Sequence, residues 1–193
     1  FKHCFYNEQR PDQFKKGMQV KPVKITTIPN PPKLRKEPPR RLNEVKLGHL
    51  KKFLVDLKEQ GVITELDNFE KQIYLAPVHI VLEERYVASE RRNVFKSRFC
   101  LDQRLVNRII VPCAQPLPLV DEFRRSIAAE GFCVFTNLDL ASGYHQLPVE
   151  TKDVDHLFGF RALGRVYVIQ RLSMGWQSSP GIFQALMNEI FAC

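Results

Sequence analysis

The stretch FTNLDLASGYHQLPV, Phe135–Val149, decides the reading. It continues FCVFTNLDL, residues 132–140, which is rich in β-formers and reads as a mostly buried strand. Asp139 stands near the end of that run. A carboxylate there is expensive unless something compensates it. One compensation is a divalent cation, since Mg²⁺ takes one or two carboxylates and shares its shell with substrate phosphates. Another is a local one, with Asp139 capping the turn Ala141-Ser142-Gly143. Both stay open on the residues alone. A third reading notes that Asp139, Ser142 and His145 carry the side chains of a hydrolase triad. The G-x-S-x-G elbow is absent, and triad members usually come from distant segments, so this reading is disfavoured.

Working outward, the chain has 193 residues, enough for one domain with a real core or for two small ones. It is 44% hydrophobic and 26% charged, which excludes a disordered class. Its net charge of +8 is uneven: residues 1–60 hold 15 Lys/Arg against 6 Asp/Glu, the rest 14 against 15. A basic front half on a near-neutral body favours a polyanion, nucleic acid first. The five Cys are scattered without zinc spacing, which argues for free thiols in a reducing compartment. No apolar run is long enough for a bilayer. The polar start FKHCFYNEQRP has no signal-peptide pattern and reads as the middle of a longer polypeptide.

Residues 1–41 are irregular, with IPNPPKLRKEPPRR dense in Pro and cations, and read as a linker or an extended arm. The clearest helix spans 42–60, with Leu42, Val45, Leu50, Phe53, Leu54 and Leu57 at helical spacing and Gly61 as its stop. A hairpin spans 74–101, its connection RYVASERRN carrying Arg85, Arg91 and Arg92. A short helix runs from 119 to 129 between Pro118 and Gly131. A second hairpin spans about 156–172, turning at Leu163-Gly164-Arg165. In the last helix, 180–191, Ser179 suits the cap and Pro180 the first turn, with Ile182, Phe183, Leu186, Met187 and Ile190 as an apolar stripe. The order predicts an α+β fold with an antiparallel sheet flanked by helices.

Taken together, the segments resemble one family. FTNLDLASGYHQLPV resembles the first catalytic motif of reverse transcriptases, most closely those of gypsy-type LTR retrotransposons. KKFLVDLKEQGVI and YLAPVHIVL look like the family's fingers helix and the strand after it. SRFCLDQRLVN resembles the basic fingers strand, with Arg98, Asp102, Arg104 and Asn107 matching in spacing. QPLPLVDE resembles the segment ahead of the palm. LSMGWQSSPGIFQALMNEIF resembles the entry to the next palm helix, in a form closer to retroviruses. The resemblance covers roughly residues 40–191.

It implies a right-hand polymerase fold: an extended segment 1–41, fingers over 42–131 and a partial palm over 132–193. It implies RNA-directed DNA polymerisation, in which two Mg²⁺ ions stabilise the attacking and leaving oxygens. Asp139 would bridge the ions and the Leu140 carbonyl would add a ligand. Arg98 matches the triphosphate-binding arginine, whose fork suits phosphate oxygens. Arg91 or Arg92 would supply a second cation, because the longer connection leaves the family's triphosphate lysine unmatched. Tyr144 matches the steric gate against a 2′-hydroxyl. Ala141, Gly143 and Met174 would line the nucleotide; Gln146, Trp176 and Pro180 would lie toward the template. The implied partners are an RNA or DNA template-primer, dNTPs and the remainder of a pol polyprotein, in cytoplasmic particles with the nucleus as a second setting. The family's second acidic motif, Tyr-x-Asp-Asp, does not occur here; Glu150, Asp153, Asp155 and Glu189 stand in other contexts. The expectation is therefore a fragment inactive alone and poorly stable, with a non-enzymatic nucleic-acid-binding remnant as the alternative.

Overall fold

Helix α1, Glu44–Glu59, shows how local sequence sets the frame. Asn43 caps it by accepting the Lys46 amide, and Leu50, Leu54 and Leu57 bury one stripe. At its end Gly61 takes a φ of 65°, while the amides of Gly61 and Val62 reach back to the Lys58 and Leu57 carbonyls. That double closure requires the left-handed residue glycine supplies. Val45, expected in the stripe, is exposed.

The computed structural model describes residues 17–34, 37–67, 74–87, 91–113, 115–117, 119–131, 133–136, 139–150 and 157–191. After α1 come β2 (Ile63–Leu66), β3 (Leu75–Ala76), β4 (Val78–Val87) and β5 (Arg92–Leu101). Then follow α2 (Arg104–Asn107), α3 (Val120–Glu130), β6 (Val149–Glu150), β7 (Gly159–Ala162), β8 (Arg165–Ile169) and α4 (Ser179–Phe191). The strand before α1 is β1, Val23–Lys24.

Three sheets form. One is four-stranded in the order β2-β8-β7-β3. It is antiparallel over β2-β8-β7, as expected, and at its edge β3 runs parallel to β7. The turn between β7 and β8 is Leu163-Gly164, both at positive φ, which gives the twist a two-residue hairpin needs. The second sheet is β4–β5, paired from Val78–Leu101 to Val87–Arg92. Its strands reach further toward the turn, and its connection is shorter, than expected. Phe99 on its inner face packs against Phe53 and Phe160, joining hairpin, helix and sheet in one core.

The third sheet corrects the linker reading of the front segment. β1 runs parallel to β6, and residues 17–28 lie across the domain. The Met18 amide donates to the Gln146 carbonyl, Val23 to Pro148, and Ile28 to Ile109, while Val111 donates to Thr26. Met18 and Ile25 are buried.

A second correction concerns 132–140. Residues 133–136 lie in no strand and are exposed, Val134 at 85%. Among the described residues nothing pairs with them, and a strand without cross-strand partners leaves its amides and carbonyls to water. Residues 132, 137 and 138 lie outside the described set. α3 likewise buries no residue, and Leu119, Val120 and Phe123 are exposed.

Candidate active site

Past Asp139 the chain folds into one tight loop. Ser142 takes a left-handed φ of 48°, and Gly143–Gln146 form a single 3-10 turn. The His145 amide donates to the Ser142 carbonyl, and Leu147 to Tyr144. The Gln146 side-chain amide donates to the Ala141 carbonyl at 2.6 Å. Gln146 thus closes the turn that Asp139 was a candidate to cap. Asp139 is exposed, and among the described residues no hydrogen bond engages its carboxylate.

A cleft of about 320 Å³ opens beside it, lined by Asp139, Leu140, Gly143, Tyr144, Met174 and Phe183. Two segments some thirty residues apart meet there. Tyr144 stands edge-on to Phe183, ring centroids 5.3 Å apart at 88°. Gly143 fits closely: a Cβ there would lie 3.0 Å from Phe183 Cζ. Phe183 was read only as one member of an apolar stripe, and nothing in its spacing distinguishes it from Ile182 or Leu186.

Met174 is presented by a loop that α2 holds in place. The Asn107 amide donates to the Gly175 carbonyl at 2.8 Å, and Gln177 donates to the Asn107 side-chain and backbone oxygens. Gly175 has a φ of +101°, open in practice to glycine. Trp176 is buried against Phe158, centroids 4.3 Å apart. Neither Trp176 nor Gln146, 3% exposed, presents its side chain to a template, which corrects that expectation: both build the site from beneath. Pro180 lies in the first turn of α4, after Ser178, whose hydroxyl accepts the Cys113 amide. Ser179, expected as the cap, instead donates its hydroxyl to the Ser173 carbonyl.

Of the cationic candidates, Arg98 and Arg91 do not line this cleft. Arg98 is exposed on β5 and pairs with Glu83 at 2.9 Å. Arg91 sits beside the hairpin turn at a φ of 48°. The Arg92 side chain lies outside the described set, and Ala141 is exposed at the rim of the loop.

Two groups have shifted titration. Burial pushes the His145 imidazole down to about 4, so it stays neutral at pH 7. It lines a tight pocket with Leu57, Phe99, Ile169 and Met174, and exposed Ser142 is not among them, so the pair does not form a hydrolase site. The Arg104 guanidinium, bonded to both oxygens of Asp102, holds that carboxyl below the usual range, with Arg40 adding to it.

The donors available to a metal are the Asp139 carboxylate and, beside it, the Leu140 carbonyl. Both are hard oxygen ligands of the kind Mg²⁺ takes. Among the described residues no group of three or more His, Cys, Asp or Glu converges. Among the described residues these two donors do not by themselves make a two-ion centre.

Comparison with known proteins adds to this geometry. A family model described as "Reverse transcriptase (RNA-dependent DNA polymerase)" matches residues 92–192. The chain is 29% identical over 156 residues to a putative enzymatic polyprotein of Cassava vein mosaic virus, covering 80% of this chain and 22% of that protein. It is 26% identical over 143 residues to the retrovirus-related Pol polyprotein from transposon opus of Drosophila melanogaster, covering 74% and 13%. The chain thus spans less than a quarter of these relatives. Among solved structures, prototype foamy virus protease-reverse transcriptase superposes with a TM-score of 0.68 at 25% identity, over 90% of this chain and 21% of that one. A foamy viral protease-reverse transcriptase in complex with RNA/DNA hybrid superposes at 0.65 with 20% identity, over 95% and 23%. The fold is that of the reverse transcriptases.

Proposed function

The chain belongs to the reverse transcriptase (RNA-dependent DNA polymerase) family, and from that premise we propose that its cleft is the nucleotide-facing part of a retroelement polymerase. The observation that carries this is the convergence of Asp139, Gly143, Tyr144 and Met174 on one cleft, with Phe183 behind them. A dNTP sugar resting on the Tyr144 ring leaves no room for a 2′-hydroxyl, and Phe183 fixes the ring's angle. Gly143 keeps backbone bulk away from that pair. Arg98 stands on an exposed strand face with a carboxylate partner that a triphosphate can replace, and Arg91 adds charge at the hairpin turn. Met174 offers a flexible apolar contact to a base.

Mg²⁺ belongs to the chemistry of the family, and Asp139 with the Leu140 carbonyl is where this chain would hold an ion. Transfer by the two-ion route needs a second carboxylate that the described residues do not supply, so no transfer step is assigned to them. The reading is that the chain alone binds template-primer weakly and does not extend it. Template-primer, dNTPs and further pol polyprotein segments are its proposed partners, in cytoplasmic retroelement particles. Fingers over 42–131 and palm from 132 onward remain the proposed division. The charge of the first sixty residues favours one second reading, a nucleic-acid-binding remnant without nucleotide recognition.

The two separate in a titration of a labelled DNA primer on an RNA template, with and without dNTP and Mg²⁺. The polymerase reading expects the complementary dNTP to tighten binding and Arg98→Ala or Asp139→Asn to abolish that gain. Binding indifferent to dNTP, with those variants unchanged, would favour the remnant.

A further inference from the structure

Gln146 sits where two distant parts of the chain meet the candidate site. Its side-chain amide donates to the Ala141 carbonyl across the loop. Its own carbonyl accepts the Met18 amide at 2.8 Å. The side chain is 3% exposed, so it faces inward and not toward any ligand. Between its two ends lies Ser142 in the left-handed region, a conformation that a serine holds only when its surroundings impose it. On the far side, the Leu172 amide donates to the Leu147 carbonyl. The front segment is fitted to this point closely. Gly17 has a φ of +66°, and a Cβ on it would run into the Arg171 guanidinium and come within 2.7 Å of the Gln146 carbonyl oxygen. Arg171 is itself buried.

We infer that Gln146 is the positioning residue of the Asp139–Tyr144 loop, and that residues 17–28 are the strap that holds Gln146 in place. The clasp sets the angle at which Tyr144 and Asp139 face the cleft. Its effect on nucleotide choice rests on the polymerase reading; its effect on loop geometry does not. Met18, 128 positions upstream of Gln146, thereby enters the site's mechanics through one backbone hydrogen bond.

The test uses the full chain with Gln146→Met, which keeps length and removes the donor, and Gly17→Ala, which unseats the strap. Amide hydrogen exchange is followed at His145 and Leu147, whose amides are bonded within the loop, and, as a control, along β4–β5. Photocrosslinking of labelled dUTP and UTP on a primed template reads nucleotide choice. The clasp predicts exchange in the loop faster by about tenfold in either variant, the loss of one buried hydrogen bond, with β4–β5 unchanged. It predicts that the double variant is no faster than the faster single one, and that the dUTP:UTP ratio falls. Unchanged loop exchange in Gln146→Met, or exchange raised equally in β4–β5, would overturn it. No nucleotide adduct on the unmodified chain would defeat the polymerase reading, while exchange would still decide the clasp.

Discussion

Gly143→Ala tests the packing behind the cleft. The added Cβ would lie 3.0 Å from Phe183 Cζ, 3.2 Å from Cε2 and 3.5 Å from Leu140 Cβ. Carbon atoms rest at about 3.5–4.0 Å, so the Phe183 ring must retreat by roughly half an ångström or more. The same ring packs against Tyr144, which must then move or lose its partner. Overpacking of this kind costs about 1–3 kcal/mol. Because Gly143 has no positive φ, alanine also removes unfolded-chain entropy worth about 0.4–1 kcal/mol in the opposite sense. The expected net loss is about 1 kcal/mol, and urea unfolding measures it. Phe183→Leu alone removes the edge contact and part of the buried ring. Combined, the smaller side chain accepts the new methyl, so the two changes should fall short of additivity by about 1 kcal/mol. A coupling near zero, or a stabilised Gly143→Ala, would refute the claim that Phe183 leaves no room for a side chain at 143.

Other positions give independent checks. Gln103 is 2% exposed, and both its side-chain polar atoms lack partners among the described residues; since orphaned buried groups cost about 1–3 kcal/mol, Gln103→Leu should leave the thermal midpoint unchanged or raise it, and a large drop would reveal a hidden partner. His145 titrates near 4 in the fold against an ordinary 6.5, so stability is complete above about 6.5 and is lost as pH falls toward 4; the full effect is roughly 3 kcal/mol. His145→Phe should flatten that part of the stability profile, and an unchanged slope would contradict burial of the neutral ring. Asp102 is depressed by Arg104, so its contribution is present above the ordinary carboxylate range and lost below it; Asp102→Asn should make acid unfolding below about pH 4 less steep, as followed by circular dichroism.

Where the sequence was legible, the signal was local. The i, i+4, i+7 leucines of α1 with Asn43 and Gly61, and the apolar stripe of α4, announce themselves within one element. The candidate loop was legible as a unit because Asp139, Leu140, Gly143 and Tyr144 lie within six consecutive residues. The strap 17–28 was not, since a two-residue strand pairing in parallel with residues 149–150 leaves no local period. Gln146 and Trp176 misled because amide and indole side chains suit a ligand and a core equally; only burial separates them. Phe183 was hidden in its own stripe. The strand expected at 132–140 failed at 133–136 because apolar, β-forming residues describe a preference and not a partner.

The central claim is that Tyr144 faces an incoming nucleotide sugar. The most direct measurement is the ratio of dUTP to UTP photocrosslinking on a primed template, comparing the chain with Tyr144→Ala. A preference for dUTP that disappears in Tyr144→Ala, with total crosslinking retained, is the predicted result. A preference that survives the substitution, or equal crosslinking of the two nucleotides by the unmodified chain, would contradict it.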